Sequence, residues 1–486
     1  MMKKNIILTG IFAAGIFFSC SNDKEFENKE YASREQIEQL AESSPEALLT
    51  VTNGISDGSN AFLRSFDTYG NGAHSDFGLK AFDLGLDLMS NDMTQSISHW
   101  FSEYYNYSGR EQQNLRSTST IWNFYYKVIR DANLIIELTP DGTEDPGLRA
   151  TLGKALALRG FCYFQLIRLY ADGDTGIPLY TEVESIQSRE STSKIVEQIG
   201  QDLNEAYDYL AGYSRTSKTQ IDQNVVAGFL ARYNLEYGNY QEAIAMAEQA
   251  QTAGSIMNTD QIFDGFDDIS NPSWIWGADI TSETNSGYAS FFSQMSSINQ
   301  GYGGLLGVYK NIDKRLYEDI SNSDLRKDWF VGVNSEDYEL PAYANVKFVD
   351  ESGTAFLGDY VYMRVEEMYL IEAEARALNG DDSGASQALF ELMSKRDPEY
   401  VLSSNIGGDL LEEIRLNRRI ELWGEGFAFY DMKRWDNSLD RTYEGTNHPT
   451  WGRVSFPAGS SKFVFQIPIG ELNANDDISE GDQNPL

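Results

Sequence analysis

The sequence predicts a mainly α fold: a scaffold of helical hairpins carrying large irregular loop and short-strand insertions. Three observations predict it. Apolar residues recur at spacings of three and four in one segment after another, as in helices with one buried face. These segments come in pairs of roughly 35 to 45 residues, with alanines where neighbouring helices must approach closely. Between residues 255 and 360 that period is lost, and Ser, Asn, Gly and aromatic residues take over.

The helical stripes follow in chain order. Ile121, Phe124, Val128, Ala132 and Ile135 form the first, ended by Pro140-Asp141-Gly142. Leu152, Ala155, Leu156, Cys162, Tyr163, Leu166 and Tyr170 form the next, stopped at Asp172-Gly173. Ile195, Ile199, Leu203, Ala206 and Leu210 follow. Val225 to Tyr233 and Ala243 to Ala250 make a pair joined at Gly238. Met368, Ile371, Ala375 and Leu378 make another stripe, with Leu389 and Leu392 on its neighbour. The run Gly238-Asn239-Tyr240-Gln241-Glu242-Ala243-Ile244 resembles the second helix of a tetratricopeptide repeat, so the scaffold is expected to be tetratricopeptide-like. Helical scaffold is expected over 41–254 and 360–435, and irregular ligand-facing insertions over 53–118 and 255–360. Loops that long inside a compact body usually carry function. Trp274 and Trp276 share one face of a short strand, and that face is expected to be buried.

The amino terminus reads as an export signal. Lys3 and Lys4 precede an apolar run from Ile6 to Phe18, which closes on Ser19-Cys20. A spanning helix needs roughly 20 apolar residues, so this run is a cleavable signal over 1–19 and not a membrane anchor. Cys20 is the expected lipidation site, and residues 20–40 the expected flexible tether, with the body over 41–486. Cleavage leaves 36 basic residues against 74 acidic ones, a formal charge of −38. So acidic a surface would repel nucleic acid and anionic membrane. Beyond Cys20 the only cysteine is Cys162, which rules out an internal disulfide and any cysteine-rich metal site; it is expected in a buried helix.

No catalytic constellation stands out. The chain holds only three histidines, His74, His99 and His448. Gly54-Ile55-Ser56-Asp57-Gly58 has the letters of a nucleophile elbow but no apolar strand before it. Neither a cofactor nor a metal is expected. Aromatic clusters are more informative, because flat rings stack on sugar C–H faces while Asn, Asp and Gln bond the hydroxyls. The candidate ligand-binding residues are Trp100, Tyr104, Tyr105, Tyr69 and Asp76 in the first insertion. Tyr288, Phe291 and Tyr302 are their counterparts in the second.

Longer stretches carry a resemblance. They include Trp122 to Asn133, Ala155 to Phe161 with Gly176-Ile177-Pro178-Leu179, and Arg364 to Ala375. Arg418 to Gly426 with Asp431 and Arg434-Trp435, Ile467-Pro468-Ile469, and Gln483-Asn484-Pro485 complete the series. In this order, and with Cys20 at the head, the chain resembles the SusD/RagB-like outer-membrane nutrient-binding lipoproteins of Bacteroidetes. The resemblance implies a tetratricopeptide-like scaffold, a glycan- or peptide-binding face, and a TonB-dependent SusC-like transporter as partner. It also implies a lid-like position over that transporter, delivery without cleavage, and an anchor in the outer membrane facing the medium. Asn417 and Ala428 stand where the family commonly has Glu and Arg, which puts local ion pairs in doubt. The rival readings are a lipid-anchored glycoside hydrolase and a scaffold that binds protein only.

Overall fold

The computed structural model describes residues 33–68, 70, 72–183, 185–333 and 339–486. Cys20, the signal and most of the tether lie outside the described residues, as does Tyr69.

Nine helices form the scaffold: α1 (Pro45–Phe62), α2 (Arg116–Leu138), α3 (Pro146–Tyr170), α4 (Thr192–Tyr209), α5 (Gln223–Glu236), α6 (Tyr240–Gln251), α7 (Val365–Leu378), α8 (Asp382–Met393) and α9 (Gly407–Glu421). Their starts are written locally. Ser44 caps α1 and Asp145 caps α3, each followed by a proline in the first turn, where a missing N–H costs nothing. From α1 to α8, each helix packs against the next in sequence. That succession of neighbours is a solenoid, in which stacked hairpins bury faces no helix could bury alone. The α3–α4 contact is close. A Cβ added at Gly153 would lie 2.8 Å from Leu210, and one at Gly160 would lie 3.0 Å from Leu203. Cys162 is fully buried in α3, and burial pushes its thiol up.

The order holds across the long second insertion, since α7 packs against α6 although more than a hundred residues separate them. Antiparallel pairing of β2 (Trp274–Ala278) with β4 (Tyr360–Arg364) closes the base of that excursion. Trp274 and Trp276 are both fully buried there, as expected. A second pairing joins the two irregular regions: β1 (Met93–Gln95) runs antiparallel to β3 (Lys310–Ile312), with Gln95 opposite Lys310. Here the sequence-remote insertions become one surface.

The first insertion is less irregular than its glycines suggest. α1 continues through Gly54 and Gly58 to Phe62. Both glycines face open space, so each costs roughly 1 kcal/mol relative to Ala without breaking the helix. Thr52, Ile55, Ser59 and Phe62 supply the buried face. Ser56, the centre of the elbow-like letters, is a buried residue within this helix, so no strand-to-helix turn presents it. Leu79–Asp87 is a further buried helix in the same insertion.

A charge cluster locks the end of the solenoid. Glu421 accepts from Arg364 at 2.8 Å, Arg396 at 3.0 Å and Arg326 at 3.2 Å, and all four are buried. Arg364 and Lys347 share Glu425, at 2.8 and 2.7 Å. Burial would raise both carboxyls, but the cations prevail: Glu421 is held well below its ordinary range and Glu425 at about 2. Asn417 is part of this cluster, accepting from Arg326 at 2.7 Å, so the arginine keeps a partner without a carboxylate there. The Ala428 side chain makes no ion pair, and its backbone N–H caps Asp87 at 3.1 Å.

Candidate ligand-binding site

The site stands where β1 and β3 hold the insertions together. Ser96 ties the loops beside them: its hydroxyl donates to the Gly307 carbonyl at 2.7 Å and accepts from the Tyr309 N–H at 2.9 Å. The loop 301–307 folds back tightly on 293–299. A Cβ at Gly303 or Gly304 would sit 2.1 Å from the Ser296 or Asn299 carbonyl, so only glycine fits. Gln294 donates to the His74 carbonyl at 3.0 Å and brings the 66–77 loop alongside.

These ties assemble a belt of rings. Phe66 meets His74 edge-on at 5.9 Å, and His74 lies near-parallel to Trp100 at 5.8 Å. His74 and His99 both meet Tyr302, at 5.8 and 5.0 Å, and Tyr302 meets Tyr288 at 5.9 Å. Phe356 closes the series against Tyr288 at 5.6 Å. One polar bond fixes its centre, with His74 Nδ1 and the Tyr302 hydroxyl 2.8 Å apart. Tyr288 is 48% exposed, whereas Trp100 and Tyr302 are half-buried. Ile97, Ile298, Leu305 and Leu306, from the same loops, are exposed apolar side chains.

Beneath the belt lies a buried cation. Lys310 is fully buried and donates to the Gln294 and Val308 carbonyls, each at 3.1 Å. Burial pulls its ammonium down to about 7. Burial, with the Lys310 charge second, also lowers the His99 imidazole.

Of the expected ligand-binding residues, the structure brings Trp100, Tyr288 and Tyr302 together. Tyr104, Tyr105 and Phe291 are corrected to core. Phe101 and Tyr107 adopt left-handed backbone on either side of the short helix Ser102–Tyr105, and the rings at 101, 104, 105 and 107 are all buried. Tyr104 packs on Gly85, and the Tyr105 hydroxyl is bonded to His448 at 2.6 Å. Phe291 meets Phe348 edge-on at 5.1 Å, with the Lys80 ammonium over its ring. Asp76 is also buried, accepting from the Thr68 hydroxyl at 2.9 Å; burial raises it to about 6. It stabilises the loop that carries His74 and presents no free carboxylate. Sequence reasoning missed Phe66, His74, His99 and Phe356 as belt members. The scarcity of histidine was the available signal, since two of the chain's three imidazoles lie in the belt.

Among the described residues no cluster of His, Cys, Asp and Glu is arranged to hold a metal ion, and no helix is long and apolar enough to cross a membrane. The arrangement is a platform of flat ring faces with one hydroxyl fixed by His74.

Comparison with known proteins agrees with this architecture. A family model described as starch-binding and associating with the outer membrane matches residues 67–235. A model of the SusD family matches residues 218–486, more than half of the chain. The chain belongs to the SusD family. A curated relative, SusD-like protein P38 of Formosa agariphila, is 23% identical over 389 residues, 66% of this chain and 72% of that protein. Among solved structures, a SusD-like carbohydrate binding protein from Bacteroides vulgatus superposes with a TM-score of 0.78 at 25% identity, covering 90% of this chain and 98% of that one. Surface glycan-binding protein A from Bacteroides fluxus shares the fold at 18% identity, with a TM-score of 0.67 over 88% of this chain and 98% of its own. The SusD match takes in both the charge cluster and the second-insertion half of the belt.

Proposed function

We propose that this SusD-family chain is a cell-surface lipoprotein that binds oligosaccharides on the ring belt. It would deliver them, uncleaved, to a TonB-dependent SusC-like transporter in the outer membrane. One observation carries the reading: rings from two remote insertions form one continuous belt, with Tyr288 half-exposed and the Tyr302 hydroxyl fixed by His74. Stacking on sugar faces needs such rigid amphipathic rings, and a fixed hydroxyl adds orientation. The family's description as starch-binding, and the printed name of the Bacteroides vulgatus protein, support carbohydrate as the ligand class. SusD-family membership supports capture without cleavage. Lipid attachment at Cys20 would hold this acidic body beside its transporter, because two acyl chains give stable anchoring where one is marginal.

Affinity electrophoresis of the purified chain through a panel of polysaccharides tests the reading. Retardation with no new reducing ends supports it; release of reducing ends would establish the hydrolase instead. Labelled palmitate incorporated by the native chain and lost in Cys20→Ala tests the anchor.

A further inference from the structure

The loops that carry the belt expose aliphatic side chains as well as rings. Ile97, Ile298, Leu305 and Leu306 are each 43–56% exposed. Close backbone contacts place them side by side. A Cβ added at Gly304 would meet the Asn299 and Ser297 carbonyls at 2.1 and 3.0 Å, which sets Leu305 next to the segment bearing Ile298. One added at Gly307 would lie 3.9 Å from Ile97 Cδ1, which sets Leu306 next to Ile97. Two backbone bonds close the turn between them. The Leu305 N–H donates to the Gly301 carbonyl at 2.9 Å, and the Val308 N–H donates to the Tyr302 carbonyl at 3.1 Å. Tyr302, a ring of the belt, therefore shares one braced turn with both leucines.

Scattered exposed aliphatics are ordinary, but a braced ridge of four beside a row of rings marks a surface that is covered in use. Composition says what kind of cover it takes. Neither 93–102 nor 284–309 contains an Asp, Glu, Lys or Arg, although 23% of the chain is charged. These segments offer no counter-charge, so the cover is uncharged and apolar. Because the ridge runs directly into Tyr302, the cover is part of the molecule that lies on the rings. A bare sugar would turn hydroxyls towards the ridge and gain nothing there. An ester-linked acyl group brings a methyl that the ridge removes from water.

Resting on the reading of the belt as a glycan site, we propose that this ridge receives O-acyl substituents of the bound sugar, so that the ligand class is neutral, acylated oligosaccharide. The rings take the sugar faces, while Ile97, Ile298, Leu305 and Leu306 take the acyl carbons. Acetyl is the smallest such substituent.

The test compares matched ligands on the purified chain by calorimetry, each in its O-acetylated form and after alkaline deacetylation. The probes are oligosaccharides of acetylated glucomannan and acetylated xylan. Any other polysaccharide that retards the chain in electrophoresis is given O-acetyl groups chemically and compared in the same way. The expected result is a preference of about fivefold or more for the acetylated member of a pair, the worth of one or two buried methyl groups. The double variant Leu305→Ser/Leu306→Ser should bring the two affinities together. Val401→Ser, at an exposed aliphatic outside the belt loops, should keep the preference. Equal binding of acetylated and deacetylated members overturns the inference and leaves the belt reading intact. So does a preference that survives the double variant with its melting curve native. Binding of no saccharide in either form overturns both.

Discussion

Glu421 is enclosed by Arg326, Arg364 and Arg396, with no exposure to water. Tyr302 has a ring on either side and one bond to His74, and remains open on its outer side. Both regions are dense in residues that ordinarily mark function, yet they serve opposite ends. In the charge cluster the carboxylates and cations answer each other within the protein, which makes it rigid and leaves nothing for a ligand. The belt leaves ring faces open, with Tyr288 48% exposed. Glu421 and Glu425, strongly perturbed as they are, belong to the closed cluster and not to the belt.

The largest expected effect lies on the closed side of that comparison. Glu421→Gln leaves three buried guanidinium groups short of their shared counter-charge, a loss of about 3–5 kcal/mol by analogy with broken buried pairs. Urea denaturation measures it, and a loss under about 1 kcal/mol would show the cluster to be dispensable. Acid should reproduce part of that damage. Glu425 is held at about 2 against an ordinary 4.5, so between those values the unfolded chain binds the extra proton. Its contribution, about 3 kcal/mol, is present in full above pH 4.5 and is lost as the pH falls towards 2. Denaturation midpoints measured from pH 6 to 2 should drop less steeply in Glu425→Gln than in the native chain.

On the open side the effects move from stability to affinity. Tyr288→Ala and Tyr302→Ala should each weaken oligosaccharide binding by about 1–3 kcal/mol, as stacked hot spots do. For the half-exposed Tyr288 stability should stay within about 0.5 kcal/mol of native. A Tyr288 variant that melts early but binds normally would place that ring with the core.

The same contrast explains what the sequence revealed. The hairpin helices were legible because burial of one face writes its period into neighbouring letters, as from Ile121 to Ile135 in α2. Arg364 and the Arg418–Gly426 stretch were legible as a family signature, and they belong to the structural cluster. The belt was only half legible. Its members stand at 66, 74, 99, 100, 288, 302 and 356, and the tie between them is a three-residue strand pairing that no local pattern encodes. Within the ring-rich run 99–107, composition could not say which rings face water. Two left-handed residues, Phe101 and Tyr107, turn the run inward. Glycine misled in the other direction at α1, where Gly54 and Gly58 sit on an open face and leave the helix unbroken.

The smallest expected effect asks whether the belt is held ready or forms around its ligand. His74 reaches Tyr302 by a hydrogen bond and by ring contact, while Gln294 holds its backbone. If that bond pre-orients the phenol, His74→Ala and Tyr302→Phe should each cost about 0.5–1.5 kcal/mol of affinity, the net worth of one neutral hydrogen bond. The double variant should lose little more than either alone, because each change removes the same constraint. Simple additivity in that cycle would mean that the two side chains meet the ligand independently. The belt would then be a row of separate contacts, as unlike the interlocked charge cluster in its energetics as it is in its exposure.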